Sequence, residues 1–235
     1  MNTIILDNIP FQIDLATLSS MLHFHSTQSD QLQELERLVY HAQAIGKPKG
    51  LYKVGYVESK SDDSVVVDGI VFKSRVLRVN LEQVYRVFPF IATCGTELEE
   101  WAHSIDDLLL RFWAETINEM ALRTVRKFLE SYLLEQYTFE HISMMNPGSL
   151  EDWPLQEQRG LFALLGNPHS AIGVRLTDSL LMLPTKSVSG VLFPSVVKFE
   201  NCQLCPRENC PGRRAVYDEK LYFTRYGEKA HLVNS

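Results

Sequence analysis

The clearest pattern in the chain is a run of apolar positions at helical spacing between residues 105 and 137. Apolar side chains recur every three or four positions, and charged side chains lie opposite them. This pattern predicts one long amphipathic helix whose apolar face packs on a core. The predicted core face consists of Leu109, Phe112, Trp113, Ile117, Met120, Ala121, Val125, Phe128, Leu129 and Tyr132.

Shorter patterns predict the remaining elements. Residues 29–45 have helical spacing and end at Gly46, whereas residues 51–94 are β-rich runs separated by Ser, Asp and Gly turns. Residues 153–165 favour a helix, and residues 172–195 favour two or three strands. Helices and strands without regular alternation indicate an α+β fold.

We divide the chain into three parts on these patterns. Residues 1–79 hold an N-terminal strand, a helix and a β-rich part, which we expect to pack on the main domain. Residues 80–199 form that main α+β domain. Residues 200–235 form a C-terminal segment that contains three of the four cysteines.

Composition narrows the class of protein. The chain of 235 residues is 45% hydrophobic and 22% charged, as soluble globular proteins are. We find neither a signal peptide nor a long apolar span, so we expect a cytoplasmic protein with no membrane segment. The net charge of −6 disfavours nucleic acid as a partner, because phosphate contacts need a basic face.

A series of short motifs follows residue 146. They are Pro147-Gly148, Leu176-Thr177-Asp178-Ser179, Met182-x-Pro184 and Ser187-Val188-Ser189-Gly190. In this order and spacing the chain resembles the reactivation, or activation, domain of cobalamin-dependent methionine synthase. The resemblance covers roughly residues 80–195, and it is to a free-standing version of that domain.

The resemblance implies a fold and a function. The fold is a twisted antiparallel sheet with flanking helices, which binds S-adenosylmethionine in a shallow surface site. The function is to assist reductive reactivation or methyl loading of cobalamin carried by a partner methyltransferase or corrinoid protein. An electron donor would be a further partner. The chain would then be an accessory component of a methyltransferase system. The cofactor-binding residues implied here are Pro147, Gly148, Ser149, Ser187, Ser189 and Gly190.

The sequence departs from the family at the turn. The family pattern is Arg, two residues, then Pro-Gly-Tyr, but Met144 and Ser149 stand at the Arg and Tyr positions. Methionine cannot hold a carboxylate through two hydrogen bonds, which places S-adenosylmethionine binding in question. Taken without the resemblance, the turn is a tight turn whose Ser149 caps the next helix, with Asp152 at the capping-box distance. Taken without the resemblance, the stretch Lys186–Gly190 is better explained as a half-buried strand with alternating hydroxyls than as a ligand contact.

The cysteines form a candidate metal site. Cys202-x-x-Cys205 allows two thiolates to meet on one ion, and Cys210 can supply a third. Cys94 is the candidate fourth ligand, with His169 as another donor. Zinc, an iron–sulfur cluster and a metal-free turn all remain open.

A second class of function fits the same residues. The chain can be a non-catalytic protein-binding module whose small cysteine knuckle holds structural zinc. Arg207, Arg213 and Arg214 flank this knuckle and would then dock a partner protein.

Overall fold

The computed structural model describes residues 3–23, 29–210 and 212–227. Residues 228–235 of the predicted C-terminal segment therefore lie outside the described residues. The helices are α1 (Leu15–Met21), α2 (Ser29–Ile45), α3 (Arg75–Asn80), α4 (Thr96–His103), α5 (Leu108–Tyr137), α6 (Gln158–Leu165) and α7 (Pro168–Ile172). The strands are β1 (Ile4–Leu6), β2 (Lys49–Tyr52), β3 (Gly55–Lys60), β4 (Ser64–Val67), β5 (Ile70–Lys73), β6 (Arg86–Thr93), β7 (Ile142–Met145), β8 (Arg175–Leu176), β9 (Met182–Leu183) and β10 (Ser187–Pro194).

Strand β6 is the centre of the main sheet, and its pairs are all antiparallel. One side of β6 pairs with β10, in a register that runs from Ser187 opposite Thr93 to Leu192 opposite Phe88. The other side pairs with β2 and, further along, with β3. β7 pairs with β10, β1 extends β2, and β4 and β5 continue from β3 as a meander. Strands from residues 1–79 thus join the sheet of the main domain, while the three-part division stays a prediction.

Both faces of β6 are buried, which explains its nearly continuous apolar sequence. Phe88, Phe90 and Ala92 point to one face, where they pack with Val125 and Leu129 of α5. On the opposite face, Val87 packs with Phe72 and Leu161, and Ile91 packs with Leu165 and Ile172. The sheet therefore lies between α5 on one side and α3, α6 and α7 on the other. The α+β prediction is confirmed.

Helix α5 begins where its sequence provides a cap. The Asp107 carboxylate accepts hydrogen bonds from the backbone N–H groups of Leu109 and Leu110, each at 2.9 Å, so two unpaired amides of the first turn are satisfied. From Trp113 onward the predicted face is buried at Trp113, Ile117, Ala121, Val125 and Leu129 and half-buried at Met120, Phe128 and Tyr132. Within the described parts of the chain, no helix combines the length and apolar character needed to cross a membrane.

The predicted core face of α5 is wrong in its first turn. Leu109 is 50% exposed and Phe112 is 56% exposed. Leu110 instead packs into the cluster that contains Trp113 and Leu98. The apolar stripe is wider than the surface that packs on it, so the neighbouring α4 decides which side chains are buried at this end.

Candidate functional site

A cleft of about 780 Å³ opens on the sheet face that carries α3 and α6. Its volume is within the range of small-molecule sites, which is roughly 300–1,000 Å³. One wall is the turn after β7, and the other is the C-terminal segment. The lining residues are Val76, Gly148, Ser149, Leu150, Glu151, Asp152, Pro154, Leu204, Cys205, Pro206, Tyr217, Asp218, Glu219, Tyr222 and Phe223.

The first wall is a tight turn closed by its own backbone. Gly148 has φ +78°, a left-handed conformation that glycine adopts without strain. Its N–H donates to the Trp153 carbonyl at 2.7 Å, and the Ser149 N–H donates to the Asn146 carbonyl at 3.2 Å. The predicted tight turn is confirmed. The predicted helix cap at Ser149 is wrong, because the next helical turn starts only at Leu155 and has no side-chain cap.

Asp152 holds this wall on helix α3. Its carboxylate accepts hydrogen bonds from the Ser74 hydroxyl and from the N–H groups of Arg75 and Val76, at 3.1 and 2.9 Å for the two amides. Ser74 in turn accepts the Leu77 N–H at 2.9 Å. Asp152 therefore does cap a helix, as predicted, but the helix is α3 and not the one that follows. Arg75, whose N–H it accepts, lies 77 residues earlier in the chain.

The second wall is residues 212–227, which we call the strap. Its far end is anchored by Tyr226, which is fully buried and donates its hydroxyl to Asn80 Oδ1 at 2.9 Å. The Arg75 side chain donates to the Tyr226 carbonyl. Burial raises the pKa of Tyr226 to about 12. Both walls of the cleft are therefore fixed to the same helix, α3.

The cleft is acidic and aromatic. Glu151, Asp218 and Glu219 line it together with Asp152, and no lysine or arginine among the described residues belongs to the lining. The aromatic residues of the strap that line it, Tyr222 and Phe223 among them, keep their rings exposed, with Phe223 at 74%. This wall was not among the sequence-based predictions, although the dense run of acidic and aromatic residues at 217–223 was a signal for it.

Comparison with known proteins identifies the fold that carries this cleft. The family model for the vitamin B12 dependent methionine synthase activation domain matches residues 148–201. A solved structure described as the MetH reactivation domain bound to AdoHcy superposes with a TM-score of 0.58 at 12% sequence identity, covering 86% of this chain and 81% of that chain. The chain has the reactivation-domain fold. No curated protein matches the chain.

The resemblance predicted from the motifs is therefore confirmed, and it includes the first wall of the cleft. The match begins at Gly148 and ends at Asn201. The strap lies beyond the matched residues. One wall of the cleft is thus shared with the family model, whereas the strap wall is not.

The predicted ligand residues of β10 lie inside the reactivation fold's sheet and do not line the cleft. The Ser187 hydroxyl bonds the Thr93 hydroxyl at 2.9 Å and the Pro184 carbonyl at 2.7 Å. Ser189 is buried, and its carbonyl accepts the Asn146 side-chain amide at 2.8 Å. A Cβ at Gly190 would overlap the Met145 carbonyl. Packing and hydrogen bonding within the protein explain why each of these residues occurs at its position. Their role in ligand binding stays a prediction.

Met144, at the position of the family's arginine, packs away from the cleft. It is buried in the cluster on the α5 face of the sheet, and the Arg126 guanidinium contacts its sulfur at 3.5 Å. Pro147 is buried at the start of the turn. Of the predicted cofactor residues, only Gly148 and Ser149 line the cleft.

The four cysteines do not meet. Cys94 is buried beside Trp113 and Leu98, and its burial raises the pKa of its thiol. Cys202, Cys205 and Cys210 lie in a separate half-buried loop, and burial raises the pKa of Cys202. Across the described ranges, no group of three His, Cys, Asp or Glu side chains is arranged to hold a metal ion.

An arginine organises the cysteine loop. The Arg213 guanidinium donates to the carbonyls of Cys202 at 3.2 Å, Cys205 at 3.2 Å and Ala215 at 3.3 Å, and also to Arg207. The guanidinium therefore fixes the loop through its backbone carbonyls, and among the described residues it makes no contact of this kind with the sulfur atoms. His169 is exposed on α7. The metal assignment stays a prediction that the geometry does not support.

Proposed function

We propose that the chain assists the reactivation of a corrinoid cofactor carried by a partner methyltransferase or corrinoid protein, with an S-adenosyl ligand bound in the cleft. The observation that carries the proposal is the position of Gly148 and Ser149. They belong to the stretch matched by the activation-domain model and also line a cleft of suitable volume. The solved structure with the same fold is described as bound to AdoHcy, which supports this choice of ligand.

The task of the chain in this proposal is to position the ligand. Methyl transfer from a sulfonium requires close approach and alignment more than it requires an acid or a base. The turn is closed by its own hydrogen bonds and held to α3 through Asp152, so its shape is set before a ligand arrives. The partner's corrinoid would supply the cobalt chemistry, and a one-electron reductant would come from outside the chain.

The ligand carboxylate needs a different arrangement from the family's. Met144 packs on the α5 face and no basic side chain among the described residues lines the cleft. We therefore expect the carboxylate of the ligand to lie at the open mouth, where water solvates it. The N–H groups of Gly148 and Ser149 are occupied within the turn and do not replace the missing guanidinium.

Calorimetric titration of the full chain with S-adenosylmethionine tests the ligand part. We expect binding that changes in Ser149→Tyr, because residue 149 lines the cleft. Ser170→Tyr is the matched control, since Ser170 is exposed on α7 and does not line the cleft. Equal affinities in the two variants and the original chain would show that the ligand lies elsewhere.

Spectroscopy with a corrinoid tests the partner part. The full chain is mixed with cob(II)alamin, alone and on a corrinoid protein, together with a one-electron reductant and S-adenosylmethionine. We expect the chain to accelerate the appearance of the methylcobalamin spectrum. A rate that does not depend on the chain, together with no shift of its melting temperature by corrinoid, would refute the proposal.

A further inference from the structure

We propose that the strap makes the cleft selective for a cationic organic ligand, a sulfonium or an ammonium, over the neutral counterpart of that ligand. The strap lies beyond the stretch matched by the activation-domain model, whereas Glu151 and Asp152 of the first wall lie within it. The proposal rests on the proposed function only in the choice of an adenosyl probe.

Charge is the first argument. The four acidic side chains of the lining come from both walls, and the described residues contribute no basic side chain to it. Lys220 follows Glu219 but lines a neighbouring groove instead. Asp152 and Asp218 are hydrogen bonded to backbone amides, so they contribute a fixed negative potential. Glu151 and Glu219 are exposed and can turn towards a ligand.

Aromatic rings are the second and independent argument. Tyr222 and Phe223 stand edge to face, with ring centroids 6.0 Å apart, and both line the cleft. Large aromatic side chains are usually buried, and here Phe223 is 74% exposed. The face of an aromatic ring attracts a cation placed within about 6 Å of its centroid. Exposed rings beside carboxylates are the features that recognise a methylated ammonium or sulfonium.

The strap is a preformed wall. Near its start, the Arg214 guanidinium lies 2.8 Å from the Glu200 carboxylate. In the middle, the Asp218 N–H donates to the Gln203 carbonyl at 2.9 Å. At its end, Tyr226 is buried against Phe199. Because these contacts hold the backbone, the ligand does not need to order the strap itself, and only the exposed side chains adjust to it.

Binding of a charged and a neutral ligand of the same shape measures the selectivity. S-adenosylmethionine carries one more positive charge than S-adenosylhomocysteine, from which it differs by one methyl group. We expect the full chain to bind the charged ligand about tenfold more tightly at low ionic strength, a modest factor because the carboxylates are exposed. The preference should shrink as salt is raised from about 0.05 to about 0.5 M.

The variants identify the residues responsible. In Glu151→Gln/Glu219→Gln we expect the preference to fall to about twofold, with the affinity for the neutral ligand unchanged. Phe223→Leu keeps an apolar side chain but removes the ring, so it should lower the affinity for the charged ligand more than the affinity for the neutral one. Glu208→Gln is the matched control, because Glu208 is exposed on the cysteine loop and does not line the cleft.

The outcomes separate this inference from the proposed function. Equal affinities for the two adenosyl ligands would overturn the inference and leave the proposed function standing. If neither adenosyl ligand binds but trimethylsulfonium does, and the double variant abolishes this, the inference holds and the adenosyl proposal fails. Absence of binding by all three probes would overturn both.

Discussion

The turn at residues 147–150 and strand residues 187–190 differ in what their polar groups contact, although the activation-domain match covers the strand and all of the turn from Gly148 onward. Both were predicted to contact a cofactor. In the strand, the Ser187 hydroxyl and the Ser189 carbonyl are hydrogen bonded to other protein groups. The turn closes its backbone on itself but leaves Gly148 and Ser149 along a cleft.

The difference follows from position in the sheet. β10 pairs with β6 along Ser187–Leu192 and with β7 only along Val191–Pro194. Residues 187–190 are therefore paired with β6 on one side, and on the other side the Asn146 side chain bonds the Ser189 carbonyl. The turn follows β7, whose pairing partner among the described strands is β10 alone. A loop that leaves the sheet beside such a strand can carry side chains that no partner strand covers. A ligand site therefore develops more readily at the turn than on the strand.

The largest expected effect is at the strand. In Gly190→Ala the new methyl group would overlap the Met145 carbonyl and the Asn146 side chain, so β7 and β10 must separate. We expect a loss of about 3 kcal/mol in the free energy of unfolding, measured by urea denaturation. Gly212→Ala is the control, because its Cβ would meet no atom within 4 Å. Similar denaturation midpoints for both variants would mean that the strand is not tightly packed.

Asp152 and Glu151, two neighbouring acidic residues after the turn, should differ in how much they contribute to the free energy of unfolding. Asp152→Ala removes three hydrogen bonds to residues 74–76 and should cost about 2 kcal/mol in the free energy of unfolding. Glu151→Ala should change stability by less than about 0.5 kcal/mol, because the side chain is exposed. Thermal denaturation of the two variants decides between them. Equal losses would contradict the division of roles between these two residues.

Ser187→Ala tests the strand as a ligand site. The variant loses hydrogen bonds to Thr93 and Pro184 and should be destabilised by about 1 kcal/mol. We expect the affinity for S-adenosylmethionine, measured by calorimetry, to stay the same. A drop in affinity at unchanged stability would reverse the comparison and make the strand the binding element.

The smallest effect at neutral pH is expected of Tyr226→Phe, because the variant loses only the hydrogen bond to Asn80 and keeps the buried ring that anchors the strap. Burial raises the pKa of Tyr226 to about 12, so the neutral phenol stabilises the fold below its unfolded pKa of about 10. This stability is lost as the pH rises from about 10 towards about 12. Urea midpoints measured across this window should fall less steeply in the variant, which has no phenol to ionise. A parallel fall in both proteins would show that the phenol contributes nothing.

Local sequence patterns predicted the elements well. The 3.6-residue period identified α5, the β-rich runs identified the meander, and the motifs after residue 146 identified the fold now matched by a solved structure. These features are encoded by residues that lie near one another in the chain. The first turn of α5 was predicted incorrectly, because α4 decides whether Leu110 or Leu109 is buried.

The site required the tertiary structure. Cys94 was grouped with the other cysteines on chemistry alone, yet it packs beside Trp113 in a different cluster. Asp152 has the spacing of a local cap, but its partners lie on α3.

The sequence by itself determined most helices and strands and the resemblance, because periodicity and short motifs are local properties. It did not indicate the short helix α3, which lies inside the predicted β-rich run. Only the tertiary structure decided where the cleft lies. Its second wall depends on Tyr226 reaching Asn80 across 146 positions of the chain, a contact set by the packing of the whole sheet face. No local pattern reports such a contact, because its free energy depends on neighbours that folding alone brings together.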